Sequence, residues 1–125
     1  MSKKRILIID DDNRNIFALN ATLRAKGFDS VSCTRAKDGL NLLKSDEKID
    51  AVLMDMMMPE MDGYQAIPEI KLIKKRAGVP VIAVTAQAMQ GDKEKCLRAG
   101  ADGYISKPIN VDTLLEVLAQ FNITG

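Results

Sequence analysis

Four short apolar segments in this chain each lead into a polar side chain that could bind a metal ion or a phosphoryl group. Carboxylates, a hydroxyl and an ammonium are suited to holding a divalent cation and to stabilising a transferred phosphoryl group. They could act together only if the four segments end at the same place in the fold. The segments and the residues that follow them are 6–9 with Asp10, Asp11 and Asp12, 51–54 with Asp55, 81–84 with Thr85, and 104–106 with Lys107.

A parallel sheet would place these polar residues along one edge. Strand-like apolar segments alternate with helix-like apolar periods along the whole chain, which is typical of α/β domains. Segment 30–34 alternates polar and apolar residues, as an edge strand with one covered face does. The other main strands are almost continuously apolar, as expected of strands covered on both faces. In open parallel sheets, ligands bind at the carboxyl ends of the strands.

We therefore predict a flavodoxin-like three-layer α/β sandwich in which five parallel strands alternate with five helices. The order 2-1-3-4-5 places the weak second strand at an edge, and strands 1 and 3 then end side by side at the topological switch point. The first helix should span about 13 residues before Gly27, and Asn110 should cap the last helix. The third helix should begin just after Gly63, with Pro68 either in its first turn or at a kink.

Asp10, Asp11 and Asp55 should converge at the switch point. Because like charges this close repel each other, the cluster would either hold a proton at a raised pKa or bind a cation. Oxygen ligands without histidine or cysteine favour Mg²⁺, with Mn²⁺ as a substitute. The alternative is that these aspartates only cap the helices that follow them.

Lys107 and Thr85 should face the acidic cluster from the neighbouring strands. Lys107 directly follows the fifth strand and precedes Pro108, which holds it at the rim of the crevice. A cis bond before Pro108 would aim Lys107 inward, although the sequence does not establish one. The hydroxyl of Thr85 could donate a hydrogen bond to a phosphoryl oxygen, or Thr85 could be an ordinary β-branched strand residue.

The composition is that of one soluble globular domain, so we expect residues 1–125 to form a single domain. The net charge of +1 gives no basis for nucleic-acid binding, and no apolar stretch approaches the roughly 20 residues of a membrane span. The first strand starts too early for a signal peptide, so we expect a cytoplasmic protein.

The chain has no histidine, which excludes histidine-based catalysis. Cys33 and Cys96 lack a CxxC spacing, so we expect isolated buried thiols.

Taken together, these residues resemble the receiver domain of two-component response regulators, and the resemblance spans the whole chain. The order 2-1-3-4-5 is also that of a chemotaxis receiver, so the predicted order rests partly on the resemblance. The segment 87–96 is similar to receivers fused to hybrid sensor kinases. The motifs that carry the resemblance are Asp10-Asp11, 55–63 (DMMMPEMDG), Thr85-Ala86 and 104–108 (YISKP).

The resemblance implies a phosphorylation switch and not an enzyme that acts on a separate substrate. Asp55 would accept a phosphoryl group from a histidine kinase or a His-containing phosphotransfer protein. Asp11 would bind Mg²⁺ directly and Asp10 mainly through water, and Asp55 and the backbone carbonyl of Met57 would complete the protein ligands. Lys107 would contact the phosphoryl group.

The resemblance also implies how the switch would signal. Thr85 would move toward the phosphoryl group and Tyr104 would rotate inward, which would change the surface formed by helix 4, strand 5 and helix 5. That surface would contact a downstream protein, and the domain would be a monomer or weak dimer. On position alone, Tyr104 could instead be a core residue. Met57 and Gln87 occupy positions that tune hydrolysis in the family, and the apolar Met57 could shield the acyl phosphate from water.

Two other functions and one other metal site are alternatives. A haloacid-dehalogenase-like phosphotransferase also uses an aspartate nucleophile, but it usually has a second acid two residues later, where this chain has Met57. A degenerate receiver would only bind partners, and the complete set of acids with Thr85 and Lys107 argues against it. The five methionines between 54 and 61 could bind Cu(I), but without nearby cysteine or histidine they favour core packing.

Overall fold

The computed structural model describes residues 3–86 and 91–125 and contains the predicted sheet. The strand order is β2-β1-β3-β4-β5 and every neighbouring pair is parallel, so the predicted fold class and strand order are confirmed. The strands are β1 (Arg5–Ile9), β2 (Asp29–Cys33), β3 (Ala51–Asp55), β4 (Val81–Thr85) and β5 (Gly103–Ser106).

Helices connect the strands in the predicted alternation. The first helix has the predicted length of 13 residues and ends before Gly27, whose φ of 90° is left-handed. The last helix is capped by the side chain of Asn110, which accepts a hydrogen bond from the amide of Thr113 at 3.1 Å. The helices are α1 (Asn13–Ala25), α2 (Ala36–Lys44), α3 (Gly63–Lys71), α4 (Asp92–Arg98) and α5 (Val111–Gln120), with a 3₁₀ turn at Lys74–Arg76.

The three central strands, β1, β3 and β4, are buried along almost their whole length, as their apolar sequences predicted. Because successive side chains of a strand point to opposite faces, the sheet separates two hydrophobic clusters. One cluster includes Leu7 and Val52 with residues of α2 and α3, and the other includes Ile8 and Leu53 with residues of α1 and α5. This division makes the three layers.

Helix α3 begins at Gly63 with a capping box. The side chain of Asp62 accepts a hydrogen bond from the amide of Gln65 at 3.0 Å, and the side chain of Gln65 accepts one from the amide of Asp62 at 3.1 Å. Pro68 is the sixth helical residue and is exposed, so it lies beyond the first turn. Its missing N–H removes the usual helical donor to the carbonyl of Tyr64.

Strand β2 forms one edge of the sheet and is half-buried throughout, as expected for the weakest strand. Cys33 and Cys96 are both free thiols, which confirms that neither is in a disulfide. Cys96 is buried, but Cys33 is only half-buried because it ends this edge strand. Within residues 3–86 and 91–125, no helix is both long and apolar enough to cross a membrane.

Candidate functional site

The carboxyl ends of β1, β3, β4 and β5 bring the chemically capable residues to one edge of the sheet. Strand β1 lies between β2 and β3, so the loop after Ile9 adjoins the end of β3 at Asp55. On the other side, Asp55 pairs with Val84 and Thr85 pairs with Ser106. Distant parts of the sequence therefore contribute to a single crevice.

Three carboxylates meet in this crevice. Asp10, Asp11 and Asp55 each offer an oxygen within 4.8 Å of the others, with Asp10 and Asp55 buried and Asp11 exposed. This set fits a hard divalent cation, because the ligands are all oxygen and the exposed side leaves room for water ligands. Asp12 has a different task, since its side chain accepts a hydrogen bond from the amide of Arg14 at 2.9 Å and caps α1.

Backbone amides orient the two buried carboxylates. The amide of Asp12 donates to Oδ1 of Asp10 at 2.8 Å, and the amide of Met57 donates to Oδ1 of Asp55 at 3.0 Å. Each amide lies two residues after its acceptor, so the turn after each strand locks the carboxylate in place. The sequence analysis missed both donors, and only the Asx-turn tendency of aspartate after a strand could have suggested them.

Lys107 faces both buried carboxylates. Its Nζ lies 3.4 Å from Oδ2 of Asp55 and 3.6 Å from Oδ2 of Asp10. The peptide bond between Lys107 and Pro108 is cis. The backbone amide of Lys107 also donates to the carbonyl of Thr85 at 2.8 Å, which ties the lysine to the end of β4. The ammonium therefore supplies a fixed positive charge across from the acids.

Thr85 and Tyr104 occupy the predicted positions near the crevice. Thr85 is the last residue of β4 and is buried, with only 1% of its surface exposed, and the exposed Ala86 follows it. Tyr104 is half-buried on β5 and packs against the cluster shared with α2 and α3. Burial raises the pKa of the Tyr104 phenol. The motions expected of Thr85 and Tyr104 stay predictions.

The methionines around β3 pack mostly in the core, as predicted, but Met57 does not. Met54, Met56 and Met58 are buried, and Met61 packs against the same cluster. Met57 is 54% exposed and lies directly beside Asp55 through its amide hydrogen bond. The other predicted tuning residue, Gln87, lies outside the described residues.

Gly63 holds the loop after β3 close to the crevice. A Cβ at this position would lie 2.3 Å from Sδ of Met56 and 2.9 Å from its Cα, so only glycine fits without displacement of Met56. The amide of Gly63 donates to the carbonyl of Met56 at 3.3 Å, which closes the loop. This closure keeps Met57 next to Asp55.

The pKa of Asp55 is raised from 3.8 to about 6. Burial is the main cause, since a charged carboxylate is poorly solvated in the crevice, and the negative charge of Asp10 adds to it. The hydrogen bond from Met57 and the positive charge of Lys107 oppose the shift without cancelling it. Without a cation, the crevice therefore resists holding Asp55 in its charged form.

We expect Asp55→Asn to stabilise the metal-free protein above about pH 6. Because the folded-state pKa of Asp55 is raised, its charging penalty is absent below about pH 4, grows as the pH rises and is complete above about pH 6. The penalty is on the order of 3 kcal/mol, at about 1.4 kcal/mol per pKa unit. Urea unfolding in EDTA should show the gap between variant and wild type widening from pH 4 to pH 7. A difference in stability that is constant over this range would contradict the raised pKa of Asp55.

Comparison with known proteins places most of the chain in one family. The family model described as the response regulator receiver domain matches residues 6–119. A relative at 40% identity is hybrid signal transduction histidine kinase I of Dictyostelium discoideum, aligned over 94% of this chain and 7% of its own length. The polar-differentiation response regulator DivK of Brucella anthropi is 31% identical over 94% of this chain and 95% of its own length.

Solved structures of similar proteins share the fold. The receiver domain of a Pseudomonas aeruginosa sensor histidine kinase has a TM-score of 0.86 at 33% identity, covering 96% of this chain and 98% of its own, and holds a magnesium ion in its active site cleft. A CheY-like receiver domain protein from Methanospirillum hungatei has a TM-score of 0.84 at 33% identity, covering 97% of this chain and 95% of its own. The chain spans only 7–14% of the length of the histidine kinases that it matches.

Proposed function

Because the chain belongs to the family of response regulator receiver domains, we propose that it is a phosphorylation-activated switch whose phospho-acceptor is Asp55. The observation that carries this proposal is the position of Asp55 next to both the ammonium of Lys107 and the carboxylates of Asp10 and Asp11. Residues 1–125 would act as one receiver domain. In this proposal Asp55 gains a phosphoryl group and later loses it, and no separate substrate is turned over.

Transfer would begin when an oxygen of Asp55 attacks the phosphorus of a partner's phosphohistidine. The P–O bond to Asp55 forms as the P–N bond to histidine breaks, and the negative charge of the phosphoryl oxygens builds up beside Lys107. The Met57 amide holds the Asp55 carboxylate during the attack, and the hydroxyl of Thr85 would donate to a phosphoryl oxygen. The exposed side of the crevice leaves a path for the incoming histidine.

Mg²⁺, or Mn²⁺ in its place, would neutralise charge on the acids and on the phosphoryl oxygens when bound. Asp11 would bind the ion directly, Asp10 mainly through water, and Asp55 and the backbone carbonyl of Met57 would add further oxygens. The oxygen-only donor set supports this choice, as does the magnesium ion in the related Pseudomonas receiver.

The phosphoryl donor would be a histidine kinase or a His-containing phosphotransfer protein in the cytoplasm. The kinases among the relatives support this class of partner. Output would pass through the face formed by α4, β5 and α5, where Tyr104 lies, to a downstream protein or along a phosphorelay. The domain would act as a monomer or weak dimer.

Chemical phosphorylation tests the proposed function. In Mg²⁺ with acetyl phosphate or phosphoramidate, the protein should gain one phosphoryl group that is stable in acid and labile in base. A phosphatase would consume the donor without accumulating label, and a domain that only binds partners would do neither. Intact-mass measurement of the protein, together with measurement of donor consumption, separates these outcomes.

Met57 should set how long the phosphoryl group lasts. Its backbone amide bonds Asp55 and its side chain is exposed and apolar, so Met57→Asn should let an ordered water approach the acyl phosphate. We expect phospho-Asp55 to decay about two- to tenfold faster, the factor that corresponds to one net hydrogen bond. The measurement is the loss of label after removal of the donor. Unchanged or slower decay would contradict this role.

A further inference from the structure

We propose that Met57 is a site of reversible oxidation by hydroperoxides and that its sulfoxide shortens the lifetime of the phosphoryl group on Asp55. The effect on the lifetime of the phosphoryl group rests on the proposed function of Asp55, whereas the oxidation of Met57 does not. The proposal would make the lifetime of the phosphoryl group sensitive to peroxide.

Exposure singles out Met57 among the described sulfur atoms. More than half of its surface is accessible, while Met61 is half-buried and Met54, Met56 and Met58 are buried. Susceptibility to oxidation follows exposure, so Met57 should react before these neighbours. Cys96 is buried and Cys33 is half-buried, and burial raises the pKa of both thiols, which lowers the fraction present as the more reactive thiolate.

The backbone holds Met57 next to the phosphorylation site. Its amide donates to Asp55, and the buried side chains of Met56 and Met58 anchor the segment on both sides. The side chain can therefore change its polarity while the residue stays beside the acceptor. The thioether is apolar and does not hold water, whereas a sulfoxide oxygen accepts hydrogen bonds and would hold water near the acyl phosphate.

A hydroperoxide is the oxidant that balances the conversion of Met57 to its sulfoxide. The thioether sulfur of Met57 takes one oxygen atom and loses two electrons, and hydrogen peroxide is reduced to water. Methionine sulfoxide reductases reverse the change by removing that oxygen as water with electrons from a thiol. The change is therefore reversible, unlike oxidation of a thiol to its sulfonic acid.

Peptide mass spectrometry during treatment with dilute hydrogen peroxide tests the first half of the proposal. In the Mg²⁺-loaded protein, Met57 should become sulfoxide before Met54, Met56 and Met58. Oxidation of Met57 no faster than these buried methionines would overturn the proposal. This readout needs no phosphorylation.

Decay of phospho-Asp55 tests the second half. Oxidised protein should lose its label about two- to tenfold faster than untreated protein, and methionine sulfoxide reductases A and B should restore the original rate. The matched control is Met57→Leu, whose decay should not respond to peroxide. Normal labelling with a decay that peroxide leaves unchanged would overturn this inference alone. Failure of the untreated protein to label would overturn the proposed function and this coupling with it.

Discussion

Asp55→Asn should reduce phosphoryl incorporation from acetyl phosphate to background while the protein stays folded. The amide of asparagine is not a nucleophile at neutral pH, and neither Asp10 nor Asp11 should replace it. Asp10 is held by the amide of Asp12 and follows a different strand, so its oxygens do not occupy the position of the acceptor. Intact-mass measurement in Mg²⁺ gives the stoichiometry directly.

The chain offers a matched control for this variant. Asp12→Asn also converts an aspartate at the same edge of the sheet into its amide, but Asp12 caps α1, and asparagine caps helices equally well. Asp12→Asn should therefore still gain one phosphoryl group. Because Asp55→Asn should also be more stable than wild type above about pH 6, its loss of labelling could not be attributed to misfolding. Full labelling of Asp55→Asn would mean that another residue is the acceptor.

The fold was largely predictable because the relevant signals are local. Near-continuous apolar segments marked the buried strands, and the alternating 30–34 segment marked the edge strand. Asn110 and Gly27 marked helix ends through caps that need only neighbouring residues. Pro68 shows the limit of local reasoning. It lies in the second turn of α3, where burial of Ile67 and Ile70 on either side favours the helix despite the lost hydrogen bond.

The residues of the candidate site were predictable from their types, but their arrangement was not. Strand ends indicated which side chains share an edge, because parallel strands finish together. The amide of Met57, which orients Asp55, carries no sequence signal, since every residue except proline has one. The different burial of Asp11 and Asp10 depends on how the loop after β1 turns, and adjacent aspartates look alike in a sequence.

That difference in burial leads to the second large effect, on magnesium binding. Asp11 is the exposed carboxylate of the cluster and the one that a hydrated ion can reach, so Asp11→Ala should remove a direct ligand. We expect Mg²⁺ affinity to fall at least about a hundredfold, since outer partners alone are worth about 10- to 100-fold. Calorimetric titration of EDTA-treated protein with MgCl₂ should then show no measurable uptake.

The matched control for Asp11→Ala is Asp12→Ala, for which we expect the opposite effects on Mg²⁺ binding and on stability. It removes an aspartate from the same loop, but one that caps α1, so it should keep Mg²⁺ binding and lose about 1 kcal/mol of stability. Asp11→Ala should keep its stability in the metal-free state, because it relieves repulsion within the acidic cluster. Equal Mg²⁺ affinity in Asp11→Ala and wild type would place the ion outside the cluster. Loss of binding in both variants would mean that the loop, and not the ligand, had failed.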